Sequence, residues 1–490
     1  MPAPKITHKR ETHTGNYLEA ENMANILDYM DWRGDLTFAE RPFNEVDNLI
    51  LSVLSYLDFE GIVSGSSKTV GIRTVNRLYK EKEAAGGRKP EDMTAFSESF
   101  DSHIPELLDK AASTRRFSKT RLSHYVSRTD ADRDKQMAAV TFLLEDGTKY
   151  VSFRGTDDTL IGWKEDFDLS YMDATAGQKD AMKYLNLTLR NNKVPIRVGG
   201  HSKGGNFAVY AAAFCNERIR EQIIAVYSND GPGFKKSIAG SQEIRDIRSK
   251  IIKFSPEYSA IGVILTNTVR AHLVQSDMKG VNQHNAFSWQ VLGEHFVEAD
   301  ERDPGSILFD RTMNTWIDGE SDENRQLFID TLFGMFMDSG VQTLSEVTNN
   351  KMQSTRIAWN ALRSMPKESR NKFLTIFLHL EQSRLKAQAM RPAAAQRGLK
   401  VQITGPAAPI GLKEQTMRPA AVQSEQPVQG SGIGGLIGSI MNMGKSGNRA
   451  NSEATENRES ASEGSADTGV ISRMKRRIFH IEDENTSEDD

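Results

Sequence analysis

Pro195-Ile196-Arg197-Val198-Gly199-Gly200-His201-Ser202-Lys203-Gly204-Gly205-Asn206 decides how the rest of the chain is read. Its centre matches G-x-S-x-G. That pattern is common by chance, so its surroundings carry the weight. A strand candidate, Pro195–Gly199, runs into it, and a helix rich in small residues (Ala208, Ala211, Ala212, Ala213) leaves it. A serine on so tight a strand-to-helix turn takes strained backbone angles, and flanking glycines spare it a clash with strand and helix. The hydroxyl is lifted clear of the sheet. The helix N-terminus turns free N–H groups and partial positive charge toward an oxyanion forming there. The plain alternative is a Gly-rich β-to-α turn that merely contains serine. A phosphate-cradling loop fits less well, because G-x-x-x-x-G-K-[ST] is absent.

Short apolar runs lie on either side. Ala138–Leu144 and Tyr150–Phe153 flank Glu145-Asp146-Gly147-Thr148, a turn of the Asp-Gly kind, and predict a β-hairpin. Downstream, Ile223–Tyr227, Ile251–Phe254 and His272–Val274 are further strand candidates. Buried strands separated by helical stretches imply an α/β fold, a mostly parallel sheet with helices on both faces. Before the hairpin, Ile26, Leu27, Met30 and then Val46, Leu49, Ile50, Val53, Leu54 and Leu57 recur at helical spacing. Residues 66–95 read as a solvated helix and a loop. Helical periodicity returns over 305–388, through Leu327, Phe328, Leu332, Phe333, Phe336 and later Phe373, Leu374, Phe377 and Leu380.

A serine nucleophile needs a base. Of ten histidines, His8, His13 and His480 lie in the ends of the chain, and His201 sits inside the turn, where its ring supports rather than reacts. His272 starts a strand candidate and reads as a core histidine. His284 lies in Gly280-Val281-Asn282-Gln283-His284-Asn285, a polar loop after the last strand candidate, where the order Ser…Asp/Glu…His places the base. His295 is the runner-up, in a helical-looking stretch. For the acid, Asp230 in Ser228-Asn229-Asp230-Gly231-Pro232-Gly233-Phe234 competes with Glu257 in Ser255-Pro256-Glu257-Tyr258. Asp230 is favoured because a short carboxylate on a rigid Gly/Pro loop is easier to hold against an imidazole, although an Asp-Gly turn is its ordinary role. Thr156, in the loop leaving the hairpin, and Lys203, next after the serine, are the candidate oxyanion donors. Arg154 is expected to pair with Asp166 or Asp168.

Composition narrows the function classes. The chain has 490 residues, a formal net charge of -4 and 26% charged residues. That balance leaves no electrostatic footprint for nucleic acid. Cys215 is the single cysteine, which excludes an internal disulfide and a Cys-rich zinc site, and no metal or cofactor is implied. The N-terminal stretch holds no signal-peptide core and no run approaches the ~18 apolar residues of a membrane span, so a cytoplasmic protein is expected. Met390-Arg391-Pro392-Ala393-Ala394-Ala395-Gln396 recurs as Met417-Arg418-Pro419-Ala420-Ala421-Val422-Gln423. Such a Pro/Ala-rich linker cannot offset an ordering entropy of about 1–2 kcal/mol per residue. The expected divisions are a flexible N-terminus over 1–21, an α/β region with its N-terminal helices over 22–300, a helical region over 301–390 and a disordered tail over 391–490. In the tail, Ile433–Met441 is apolar and Arg473–Arg477 basic, a pairing suited to weak contact with an anionic membrane; the plainer reading is a linker whose basic cluster is neutralised by Glu482–Asp490.

Val151-Ser152-Phe153-Arg154-Gly155-Thr156, Trp163-Lys164-Glu165-Asp166 and Gly200-His201-Ser202-Lys203-Gly204-Gly205 together resemble the class 3, fungal-type lipases. The closer likeness is to a bacterial branch, the Mbeg-like family, with its Lys after the nucleophile, the Asn229–Phe234 loop, and Gln283-His284 leading to Ser288-Trp289. Asp28-Tyr29, Trp32-Arg33-Gly34-Asp35 and Phe43-Asn44-Glu45-Val46-Asp47 resemble that family too, so the likeness covers about residues 15–300. It implies an α/β-hydrolase fold and the cleavage of carboxylic esters by Ser, Asp and His, with Ser202, Asp230 (or Glu257) and His284 in those places. The class 3 lipases usually carry a small or apolar residue where Lys203 stands, and their acid follows the later strand. Two readings result: a serine hydrolase acting on a lipid-type ester or thioester, or an inactive scaffold of the same fold that binds a partner.

Overall fold

The structure, a computed structural model, describes residues 24–86 and 100–390. The expectations for 1–21 and for the tail over 391–490, including its membrane contact, lie outside the described residues.

Eight strands form one sheet whose spatial order follows the chain. They are β1 (Val70–Gly71), β2 (Arg121–Asp130), β3 (Lys135–Leu143), β4 (Lys149–Phe153), β5 (Ile196–His201), β6 (Ile223–Asn229), β7 (Ile251–Pro256) and β8 (His272–Val274). β1 to β4 pair antiparallel and β4 to β8 parallel, so four of the seven pairings are parallel. The hairpin expected around Asp146-Gly147 is β3–β4. The antiparallel β2 was not legible. Its polar residues hide the alternation, and His124 at φ 52 breaks the register between Ser123 and Val126.

Period-two alternation distributes the strand residues between two cores. Val140, Phe142, Tyr150, Tyr227 and Phe254 face the N-terminal helices, Ile26–Arg33 and Glu45–Leu54. Ala139, Val151, Phe153, Val198 and Val226 face the helices Ala176–Thr188 and Lys203–Phe214 on the other side. Each fully buried aliphatic or aromatic side chain contributes about 1.5–3 kcal/mol. Helices thus cover both faces, as the buried strands required.

The helix Glu45–Leu54 starts where it does because Asn44 caps it. The Asn44 side chain accepts from the N–H groups of Val46 and Asp47, and Asp47 Oδ2 accepts from Asn44 N–H at 2.9 Å. Asp47 has a second task. It is fully buried against Arg116, with Nε at 2.6 Å and Nη2 at 2.5 Å, and receives the Tyr29 hydroxyl at 3.0 Å. Arg116 also donates to the carbonyls of Leu36, Arg41 and Pro42, so the N-terminal helices, their connecting loop and the start of the sheet meet at one buried ion pair.

Residues 304–389 form five helices, packed around Trp316, Phe328, Phe333 and Phe373. They rest on the helix Leu160–Asp168 through Leu160 and Phe167. Two predicted placements need correction. His295 lies in a two-residue strand, His295–Phe296, paired with Val291–Leu292, because Gly293-Glu294 turns the chain too tightly for a helix. His272 does start a strand, but at its exposed end, ahead of the stretch where residues 297–299 pair with β8, so it is not a core residue. Among the described residues no helix is long and apolar enough to cross a membrane.

Candidate active site

The parallel ladder brings the candidate residues together. Phe153 pairs with Gly200, His201 with Asn229, and Asn229 with Phe254, so β4 to β7 end at one edge. The ladder even reaches past the strands. Ser202 N–H donates to Asn229 C=O at 2.9 Å and Asp230 N–H to Phe254 C=O at 2.8 Å. The loop after β4, the serine after β5 and the carboxylate after β6 are therefore held in register by backbone.

Ser202 takes φ 57 and ψ -135, and the helix Lys203–Phe214 begins at the next residue. An L-residue in that region is strained by about 1–3 kcal/mol and persists only where its surroundings enforce it. Here they do: a Cβ at Gly204 would run into the carbonyl of Phe153, and one at Gly200 into the backbone of Gly204. Only glycines let strand and helix close on the serine this tightly. Ser202 is 8% exposed.

Asp230, directly after β6, and His284, in the loop after β8, meet at the sheet edge. His284 Nδ1–H donates to Asp230 Oδ2 at 2.7 Å, which leaves the lone pair of the neutral ring on Nε2. Asp230 itself stands at φ 49 and is fully buried, and its Oδ1 accepts from the Ser259 hydroxyl at 2.6 Å. Burial pushes this carboxyl up. The His284 hydrogen bond and ring, the Ser259 hydroxyl and the Lys253 ammonium outweigh it and hold the group below the usual carboxylate range. Nδ1 is held by Asp230 and not by Glu257, whose carboxyl lies past β7 and is pushed up by burial and by Asp303. The loop that carries His284 is pinned on its own account. Trp289 Nε1–H donates to Gln283 C=O at 2.9 Å, and Tyr258 N–H donates to Gln283 Oε1 at 2.7 Å.

His201 takes the supporting place expected of it. Its Nε2–H donates to the carbonyl of His284 at 2.9 Å, and the two rings lie 4.6 Å apart. Burial and the neighbouring His284 depress its pKa to about 3, so the ring stays neutral.

Thr156 and Lys203 flank the same edge. The Thr156 hydroxyl donates to Asp166 Oδ2. Burial pushes the Asp166 carboxyl up to about 6 against the fields of Lys203 and His284 and the Thr156 hydrogen bond. Lys203 is the first residue of its helix, where the N–H has no intrahelical partner. Its side chain is fully buried and turned into the core, where Nζ reaches Gly162 C=O at 3.1 Å and Glu165 Oε2 at 3.4 Å. Glu165 also accepts from the N–H groups of Gln136 and Gly177. This buried pair accommodates a lysine in the core directly after Ser202. Arg154 pairs with Asp157 at 3.5 Å, not with Asp166 or Asp168, because the loop turns back within three residues; Asp168 is instead 3.5 Å from Lys164.

Several residues of the site escaped sequence reading. Asn229 Nδ2–H donates to the carbonyl of Gly200 and the hydroxyl of Ser52, and Asn229 Oδ1 accepts from Asn48. The signal was present, since Asn229 precedes Asp230 at the end of a strand that begins as an apolar run. Ser259 and Tyr56 left no such signal. From the helical region, Leu344 N–H donates to Asp158 C=O at 2.9 Å and the Ser345 hydroxyl to the Asp158 carboxylate, which clamps the loop that carries Thr156.

A serine at a strained turn after β5, a carboxylate after β6 and an imidazole after the last sheet strand are arranged as in an α/β-hydrolase fold. Residues 111–334 match the model of the Mbeg1-like family. No curated protein gives a match. Among solved structures, the crystal structure of M37 lipase is similar over 44% of this chain and 68% of that chain, with 15% identity and a TM-score of 0.27.

Proposed function

Taking residues 111–334 as an Mbeg1-like region, we propose that the protein is a serine hydrolase that cleaves a carboxylic ester or thioester of lipid type through an acyl-enzyme. Ser202 Oγ attacks the acyl carbonyl while its proton passes to His284 Nε2. Asp230 keeps the ring in the Nδ1–H tautomer and stabilises the imidazolium; it does not take the proton. The oxyanion is received by the N–H groups of Thr156 and Lys203, each such donor contributing about 3–4 kcal/mol. Collapse expels the alcohol or thiol, protonated by His284. Water then repeats the sequence, and the acid leaves. No metal or cofactor enters these steps, and the reading goes with a cytoplasmic location and no nucleic-acid partner.

One observation carries the reading: a serine held at φ 57 on the edge where an imidazole is anchored 2.7 Å from a fully buried carboxylate. A scaffold that only binds has no need of that strain. The test is turnover of p-nitrophenyl acetate, hexanoate and decanoate by the full chain. Release of nitrophenol that disappears in Ser202→Ala is expected. A folded protein that turns over none of the three would instead favour the inactive scaffold.

A further inference from the structure

Tyr56 lies just beyond the helix Glu45–Leu54, far in sequence from Ser202, Asp230 and His284. Its hydroxyl nevertheless sits 3.0 Å from His201 Nδ1 and 3.4 Å from the His201 carbonyl. A Cβ at Gly155 would run into the same hydroxyl, so Gly155, one residue before Thr156, packs directly on it. The phenol ring is fixed edge-on to Phe100 at 4.9 Å, and Phe100 stacks on the His201 ring at 5.7 Å.

Hydrogen-bond roles follow from the acceptors. The His284 carbonyl only accepts, so His201 Nε2 must carry the proton. Nδ1 of the neutral ring is then an acceptor, and the Tyr56 hydroxyl is the donor that matches it. The opposite tautomer would set a lone pair against the His284 carbonyl and turn the phenol oxygen into an acceptor. The His284 carbonyl and the phenolic proton together thus favour one tautomer of His201. That tautomer ties the backbone of His284, while the ring of His284 is tied to Asp230.

We propose that Tyr56, acting through His201, is a positioning residue for His284: its hydroxyl holds His201 as the Nε2–H tautomer that anchors the His284 carbonyl. The N-terminal helices thereby gain a role in the site as well as a place over the sheet. The inference rests on the proposed hydrolase function for its kinetic consequence, but its structural content does not depend on turnover.

The test is Tyr56→Phe in the full chain, which keeps the ring against Phe100 and removes only the hydroxyl. With p-nitrophenyl hexanoate, kcat is expected to fall by about ten- to a hundredfold with KM unchanged, the range in which a slightly misplaced catalytic group acts. In ¹⁵N spectra, His201 Nδ1 should move from the unprotonated toward the protonated range, while the thermal midpoint stays near that of the wild type. In a His201→Ala background, Tyr56→Phe should have no further effect on kcat. An unchanged His201 tautomer overturns the proposal, and so does a shifted tautomer with unchanged kcat or a kcat loss that only tracks a lost thermal midpoint. If the wild type hydrolyses no ester, the proposed function fails, and the nitrogen spectra still decide whether Tyr56 sets the tautomer.

Discussion

Asp230→Asn is expected to lower kcat by about 10³–10⁴ and leave KM nearly unchanged, because an amide can no longer hold His284 in the required tautomer or stabilise the imidazolium. The substitution is close to isosteric, and Ser259 and the backbone bond from Asp230 to Phe254 remain in place. A loss of stability is therefore a poor explanation of the effect. Glu257→Gln is the control. That carboxyl stands beside Asp303 and not at the imidazole, so kcat should stay near the wild-type value. Steady-state kinetics of the two variants beside the wild type check both outcomes. A small effect at Asp230 with a large one at Glu257 would reverse the assignment of the acid.

Asp47→Ala is expected to cost about 3–5 kcal/mol of folding stability, the range for stranding one partner of a buried ion pair. The variant leaves the fully buried Arg116 without its carboxylate and Tyr29 without its acceptor. It also opens the capping box at Asn44, a further ~1 kcal/mol. The midpoint of urea unfolding, followed by tryptophan fluorescence, reads the change. A shift below that expected for a surface residue, about 0.5 kcal/mol, would mean that the pair is not buried as described.

Sequence and structure agree where local chemistry is strong. Gly200 and Gly204 announce a turn that no side chain could tolerate, Asp146-Gly147 announces a hairpin, and apolar runs announce the buried strands of the parallel half. The position of His284 was legible too, in a polar loop shortly after the strand His272–Val274. Agreement fails where a residue's role is set by a distant partner. Nothing around Tyr56 signals that it meets His201, 145 positions away. Lys203 is read only for its backbone N–H, and nothing local shows that its side chain meets Glu165 in the core. Arg154 is expected beside Asp166 or Asp168, but the tight loop makes Asp157 its partner. His295 and His272 show the remaining limit: the two-residue strands around Gly293 are too short for periodicity to identify, and the exposure of His272 is not set by the residues of its own strand.

The central claim is that Ser202 is the nucleophile, activated by His284. A fluorophosphonate reacts covalently with a serine only when that serine is so activated, and peptide mass spectrometry then locates the adduct. On the full chain, the account predicts one adduct, on the peptide containing Ser202, with labelling abolished in Ser202→Ala and strongly slowed in His284→Ala. An adduct on another residue, or labelling that persists in Ser202→Ala, would contradict it.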